Sequence, residues 1–161
     1  MCIRDRHHYD YVRPGLALYG VSPTALAAAD YSLSPVMTLR SQVIAIKDFY
    51  TGQSIGYDAK FICSKPMRIA IVAIGYGDGY PRDISDAAVV LINGHLCPIV
   101  GVVSMDMMSV DVSHCPGVTY GDMVTLWGEG LPVEQVAKFS KRSCYESVSY
   151  THLTLPTILL V

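Results

Sequence analysis

Charge is scarce in this sequence and nearly balanced, with 12 Lys and Arg against 14 Asp and Glu, 16% of 161 residues. A nucleic-acid binder would carry a basic excess, and a disordered tail could not be 51% hydrophobic, so both classes are excluded. Long apolar runs are missing too. The longest, around Ile69–Ile74 and Ala87–Ile92, fall far short of the ~20 residues that span a bilayer. No charged stretch followed by an apolar one opens the chain, so no export signal is read and a cytoplasmic location is expected. Repeats and low-complexity tracts are absent apart from Ala25–Ala29. The five cysteines, at positions 2, 63, 97, 115 and 144, contain no C-x-x-C pair. An odd, scattered set reads as reduced thiols, neither a disulfide frame nor a zinc site.

What remains suits one ordinary domain with a core of its own. A short apolar segment follows Arg13-Pro14-Gly15 and ends at Tyr19-Gly20, and a connector rich in Ser, Pro and Ala runs from Val21 to Pro35. Beyond it the patterns are mostly strands: Val36–Ile46, Arg68–Ile74, Val89–Ile92, Leu96–Val103, Ser109–Val112 and Met123–Trp127. Asn93-Gly94 between two of them is the strongest two-residue hairpin signal. One helix is marked by Pro132 at its first position, Glu134 in its first turn and Lys138 and Lys141 near its end, with Val133, Val136 and Ala137 on one face. The expected fold is mainly β with one helix.

The two termini carry a further pattern. Met1–Arg6 can be written in codons whose reverse complement, read in another frame, spells Val148–His152. Such an inverted repeat is what a transposase-type library adapter leaves, so residues 1–6 and 148–161 are expected to be non-native and set aside. Residues 7–147 are then expected to be an interior fragment.

Several segments in order carry more specific information: Val12-Arg13-Pro14-Gly15-Leu16-Ala17-Leu18-Tyr19-Gly20, Ile55-Gly56-Tyr57, Gly75-Tyr76-Gly77-Asp78-Gly79-Tyr80, Pro98-Ile99-Val100-Gly101 leading to Ser104-Met105-Asp106, and Trp127-Gly128-Glu129-Gly130. Together they resemble the alanine racemase family of pyridoxal-phosphate enzymes over residues 7–147. The resemblance implies an α/β (TIM-like) barrel joined to a C-terminal β domain in a homodimer, with each site formed where one subunit's barrel meets the other's β domain. Residues 7–35 would be the end of the barrel, its last strand and a connector, and residues 36–147 the β domain. The Lys that carries pyridoxal 5'-phosphate as a Schiff base would lie outside this stretch, since none of Lys47, Lys60, Lys65, Lys138 or Lys141 has a matching context. The implied reaction is interconversion of L- and D-alanine for peptidoglycan synthesis, by two-base proton transfer on a pyridoxal-phosphate aldimine. The fragment alone would be inactive.

Racemisation removes a proton from one face of a planar carbanion, stabilised by the cofactor, and returns it on the other. The resemblance makes Tyr57 the second catalytic base. A phenol with a pKa near ~10 needs cationic or hydrogen-bonding neighbours to serve so. Arg13 would donate to the pyridine nitrogen, since a guanidinium cannot accept a hydrogen bond. That keeps the ring a weak electron sink and suppresses transamination. Gly15 and Leu16 would offer backbone N–H groups to the cofactor phosphate, and Tyr145 would contact it as well. Met105 would meet the substrate carboxylate through its N–H, Tyr76 would narrow the substrate entrance, and Arg82 would stand beside it. Asp58, where the family commonly has Gly, and Val102, where an Arg is frequent, depart from the pattern.

Other readings lead elsewhere. Gly75-Tyr76-Gly77-Asp78-Gly79-Tyr80 has Tyr where a dinucleotide loop needs its third Gly, and no helix is expected after it. Asp78, Asp83 and Asp86 lack the Gly and Glu positions of a calcium loop and read as a solvated loop. His7 and His8 are assigned no metal. A serine or broad-specificity racemase of the same fold, a related decarboxylase, and a non-catalytic β module that binds a ligand or partner are the alternatives.

Overall fold

The computed structural model describes residues 10–24, 28–85, 87–140 and 142–149. Two compact units divide the chain, Met1–Val36 and Met37–Val161. The segments read as adapter-derived lie outside the described residues, apart from 148 and 149.

In the first unit the described residues form two 3-10 turns, Gly15–Tyr19 and Ala28–Tyr31. Residues 10–20 contain no strand, and residues 7–9 of the expected barrel strand lie outside the described residues. Local chemistry explains the turn. Pro14 has no N–H to give a sheet, and Gly15 sits at φ 59, a left-handed conformation that ends extended chain. Gly20, at φ 75, closes the turn by donating its N–H to the Ala17 carbonyl at 3.1 Å.

The second unit is a closed six-stranded barrel. Its strands are β1 (Leu39–Phe49), β4 (Met67–Val72), β5 (Val89–Ile92), β6 (His95–Val100), β7 (Met108–Asp111) and β8 (Met123–Trp127), in the order β1-β4-β7-β6-β5-β8. All neighbours are antiparallel. β1 closes the barrel because it is long enough to serve two partners. Leu39–Gln42 pair with β8 and Val43–Phe49 with β4, and the register slips between Val43 and Ala45 where the strand bends. Asn93 and Gly94 take φ 49 and 80, the left-handed pair that a tight hairpin turn requires, so β5 and β6 meet as expected. Val43, Val72, Val90, Ile92, Val110, Val124 and Leu126 are among the fully buried side chains of the core.

A small hairpin, β2 (Ser54–Ile55) and β3 (Phe61–Ile62), has no counterpart among the expected strands. Two-residue strands leave no periodicity to read. Ile55 and Cys63 pack with Met67, Ile69 and Val100, flanked by Phe49, Phe61 and Ile71, which fixes the hairpin on the barrel wall. The expected helix is α1 (Val133–Ser140), with Val133, Val136 and Ala137 buried as a face. A second helix, α2 (Cys144–Ser149), follows it. Among the described residues no helix is long and apolar enough to cross a bilayer.

The pairing also sorts the loops. Met108 pairs with Val72, and Ser109 with Val100, so segment 73–80 after β4 and segment 101–107 before β7 leave the barrel at the same end.

Candidate functional site

Those two segments touch backbone to backbone. Tyr76 donates its N–H to the Ser104 carbonyl at 2.9 Å, and Gly77 donates to the Met105 carbonyl at 2.8 Å. A side chain at Gly75 would collide with the Ser104 carbonyl and the Met105 backbone, so only Gly permits this approach. That is the physical role of the glycine-rich motif, which holds another loop and no nucleotide. Asp78 completes it: its carboxylate accepts the Gly75 N–H at 3.0 Å, and its own N–H bonds the Gly75 carbonyl. The expectation of a merely solvated Asp78 is therefore corrected.

The clasp fixes Met105 by its backbone and leaves its side chain 61% exposed. Among the described residues the Met105 N–H donates to no protein acceptor, so it is available to a carboxylate. Tyr76 also stands partly in solvent, with the Arg82 guanidinium 5.4 Å from its ring centroid, a cation–π contact. Core packing accounts for neither residue. Beneath them Tyr80 and Trp127 are fully buried and stacked, with centroids 6.0 Å apart and planes 13° from parallel. Burial pushes the Tyr80 phenol far above its ordinary range, so it stays neutral.

The β2–β3 hairpin, which carries Tyr57, meets the start of segment 101–107. Tyr57 opens a 3-10 turn, Tyr57–Ala59, in which Asp58 and Ala59 both take positive φ, 59 and 50. Asp58 therefore occupies a left-handed position where Gly would be unstrained, and its short polar side chain is among the better substitutes. A Cβ on Gly56 would lie 3.5 Å from the Val102 nitrogen, and one on Gly101 3.0 Å from the Ile55 carbonyl oxygen. The hairpin is thus seated on the strand exit that leads to Met105. The Tyr57 ring is 60% exposed and, among the described residues, its hydroxyl has no hydrogen-bond partner.

α2 stands at the edge of this group. Arg142 and Glu146 share a cleft of about 430 Å³ with Tyr76, Gly79, Tyr80 and Arg82. Ser143 and Glu146 form a reciprocal cap, in which the Glu146 carboxylate accepts the Ser143 N–H at 2.9 Å and Ser143 Oγ accepts the Glu146 N–H at 3.3 Å. The sequence signal for this helix was Ser143-x-x-Glu146. Tyr145 lies in it, partly exposed. The second unit therefore gathers the segments bearing Tyr57, Tyr76 and Met105, with α2 beside Tyr76.

Arg13, Gly15 and Leu16 belong to the first unit. Arg13 is exposed. Pro14 is right-handed at φ −72, ψ −12, and Gly15 follows at φ 59. Such a right-then-left step turns successive N–H groups, here those of Gly15 and Leu16, toward one concavity suited to an anion.

The family profile of the alanine racemase C-terminal domain matches residues 36–159. The chain is 53% identical over 133 residues to the alanine racemase of Aeromonas hydrophila, covering 81% of this chain and 37% of that protein. Among solved structures it superposes on the biosynthetic alanine racemase of Pseudomonas aeruginosa with a TM-score of 0.86 at 42% identity, covering 90% of this chain and 41% of that one. The alanine racemase of Bartonella henselae with covalently bound pyridoxal phosphate gives a TM-score of 0.78 at 33% identity, over 86% and 38% of the two chains. The chain thus spans about two fifths of the length of the relatives it matches.

Proposed function

Because the chain belongs to the alanine racemase C-terminal domain family, we propose that it is the C-terminal part of a bacterial alanine racemase. Residues 36–147 are the β domain and residues 7–35 the end of the α/β barrel, and the parent interconverts L- and D-alanine for peptidoglycan synthesis in the cytoplasm. The observation that supports this reading is the clasp between segments 75–77 and 104–105, which holds Met105 by its backbone beside Tyr76, with the hairpin that carries Tyr57 seated on Gly101 and Val102.

Pyridoxal 5'-phosphate fits the residues present. In the first unit the N–H groups of Gly15 and Leu16 would hold its phosphate and Arg13 would donate to its pyridine nitrogen; in the second unit Tyr145 would contact the phosphate. When bound, the cofactor delocalises the charge left at the substrate's α-carbon. The chain's own residues do the rest. The Met105 N–H orients the substrate carboxylate, Tyr76 with Arg82 narrows the entrance, and Tyr57 takes or returns the α-proton on one face. The Tyr57 side chain is exposed, open to groups from another part of the enzyme. That is consistent with a homodimer in which the β domain of one subunit completes the partner's site.

A chimera tests the proposal. Residues 7–147 replace the corresponding segment of the Aeromonas hydrophila enzyme, and alanine racemisation is measured in both directions. Activity within about an order of magnitude of the parent is expected. A folded, cofactor-loaded chimera without racemisation overturns the reading.

A further inference from the structure

The end of the barrel away from Met105 holds a group that the proposed reaction does not use. Cys97 lies near the start of β6 and Cys115 in the turn after β7, and both are buried, at 0% and 3% exposure. Their sulfurs are 3.6 Å apart. Two thiolates on a tetrahedral zinc ion, with Zn–S bonds of about 2.3 Å, stand ~3.8 Å apart. A disulfide would need them at about 2.05 Å. His114 is exposed on the same turn, and one ligand atom from each of the three residues lies within 4.8 Å of the others. Three atoms so placed share a centre no more than ~2.8 Å from each, within a small shift of the 2.0–2.3 Å that zinc requires.

The surroundings support coordination. His114 Nε2 lies 3.2 Å from the Leu96 carbonyl, which can only accept, so a ring that donates there offers Nδ1 to a cation. A ring held by a backbone carbonyl in this way is the usual outer support of a metal-binding His. Exposure of His114 supplies an entry path. A bound dication would displace both thiol protons to solvent.

We propose that Cys97, His114 and Cys115 form a binding site for a thiophilic divalent cation of the zinc class, at the barrel end remote from Met105. Sulfur ligands favour zinc over magnesium or calcium, and a water would complete the tetrahedron. The sequence hides the site because 16 residues lie between Cys97 and His114, and only the β6–β7 pairing brings them together.

The test titrates the reduced 161-residue chain with Co²⁺ alone, then with Zn²⁺, while absorption and far-ultraviolet dichroism are recorded. A thiolate-to-cobalt charge-transfer band should saturate at one equivalent and bleach on adding Zn²⁺. Cys97→Ser and Cys115→Ser should abolish it. Should the serine variants not fold, His114→Ala, an exposed change, decides the matter. Removing a direct ligand should weaken Co²⁺ binding at least as much as removing an outer partner does, about 10- to 100-fold. A folded chain with no band, a band unchanged in His114→Ala, or a Cys97–Cys115 disulfide formed in place of metal binding would overturn the proposal.

Discussion

The two ends of the barrel are held by different means. At the end bearing Met105, backbone meets backbone through Gly75 and Gly77, and large side chains such as Tyr76 and Met105 are left in solvent. At the far end, side chains tie the turns: Asn93 Nδ2 donates to the Asp122 carboxylate at 2.7 Å, Asp122 accepts the Thr119 N–H at 2.9 Å, and Ser113 donates to Asp111. Backbone contact fixes the chain while leaving side chains free to meet a ligand. Side-chain ties occupy Asn93, Asp122, Ser113 and Asp111 and leave Cys97, His114 and Cys115 as the far end's remaining ligand groups.

The comparison can be broken most forcefully through the packing under Tyr57. Ile69 is fully buried beneath the β2–β3 hairpin, and Ile69→Ala should cost ~2–5 kcal/mol by emptying that volume. Measured by denaturant unfolding, a cost under about 1 kcal/mol would mean that the hairpin is not anchored there. Next comes a pair of glycines. Gly75→Ala forces a Cβ into the Ser104–Met105 backbone and should cost ~1–3 kcal/mol, with a displaced 101–107 segment. Gly94→Ala has open space but keeps φ 80, so it should cost ~1–2 kcal/mol and leave that segment in place. Amide chemical shifts around Met105 distinguish the two, and equal perturbation by both would erase the contrast between the ends.

The smallest effect is one of pH. The Thr119 N–H and the Asn93 amide hold the Asp122 carboxyl below the ordinary carboxylate range. The stability this contributes is present above the unfolded value, near ~4, and is lost as pH falls through the lower folded one. As pH falls below about 4 the chain should therefore lose more thermal stability than Asp122→Asn does. Parallel melting profiles of the two proteins would contradict this.

Much of the barrel was legible because its strands are short amphipathic units bounded by turns. Val89–Ile92 and Met123–Trp127 match β5 and β8 to the residue, and Asn93-Gly94 makes the turn it announces. β1 begins at Leu39 instead of Val36, since Thr38 spends its hydroxyl accepting the Glu129 N–H at 3.1 Å before the ladder begins. Barrel closure was not legible, because the pairing of β1 with β8 joins residues more than eighty positions apart and leaves no local mark. For the site, motif order identified the segments, but the reason for Gly75 and the cap by Asp78 emerged only with the loop that lies on them. Trp127-Gly128-Glu129-Gly130 proved architectural. Trp127 is core, a side chain at Gly128 would strike Thr38, and Glu129 pairs with Arg40 at 2.9 Å on the surface, a contact worth little.

The account depends most on Tyr57, an exposed phenol on a strained turn that is proposed to move a proton. The most direct measurement is racemisation by the Aeromonas chimera carrying Tyr57→Phe, assayed from L-alanine and from D-alanine at equal cofactor loading. Loss of a positioned acid–base group should lower kcat about 10²- to 10⁴-fold in both directions while the fold persists. A variant that racemises at the unsubstituted chimera's rate in both directions would contradict the account.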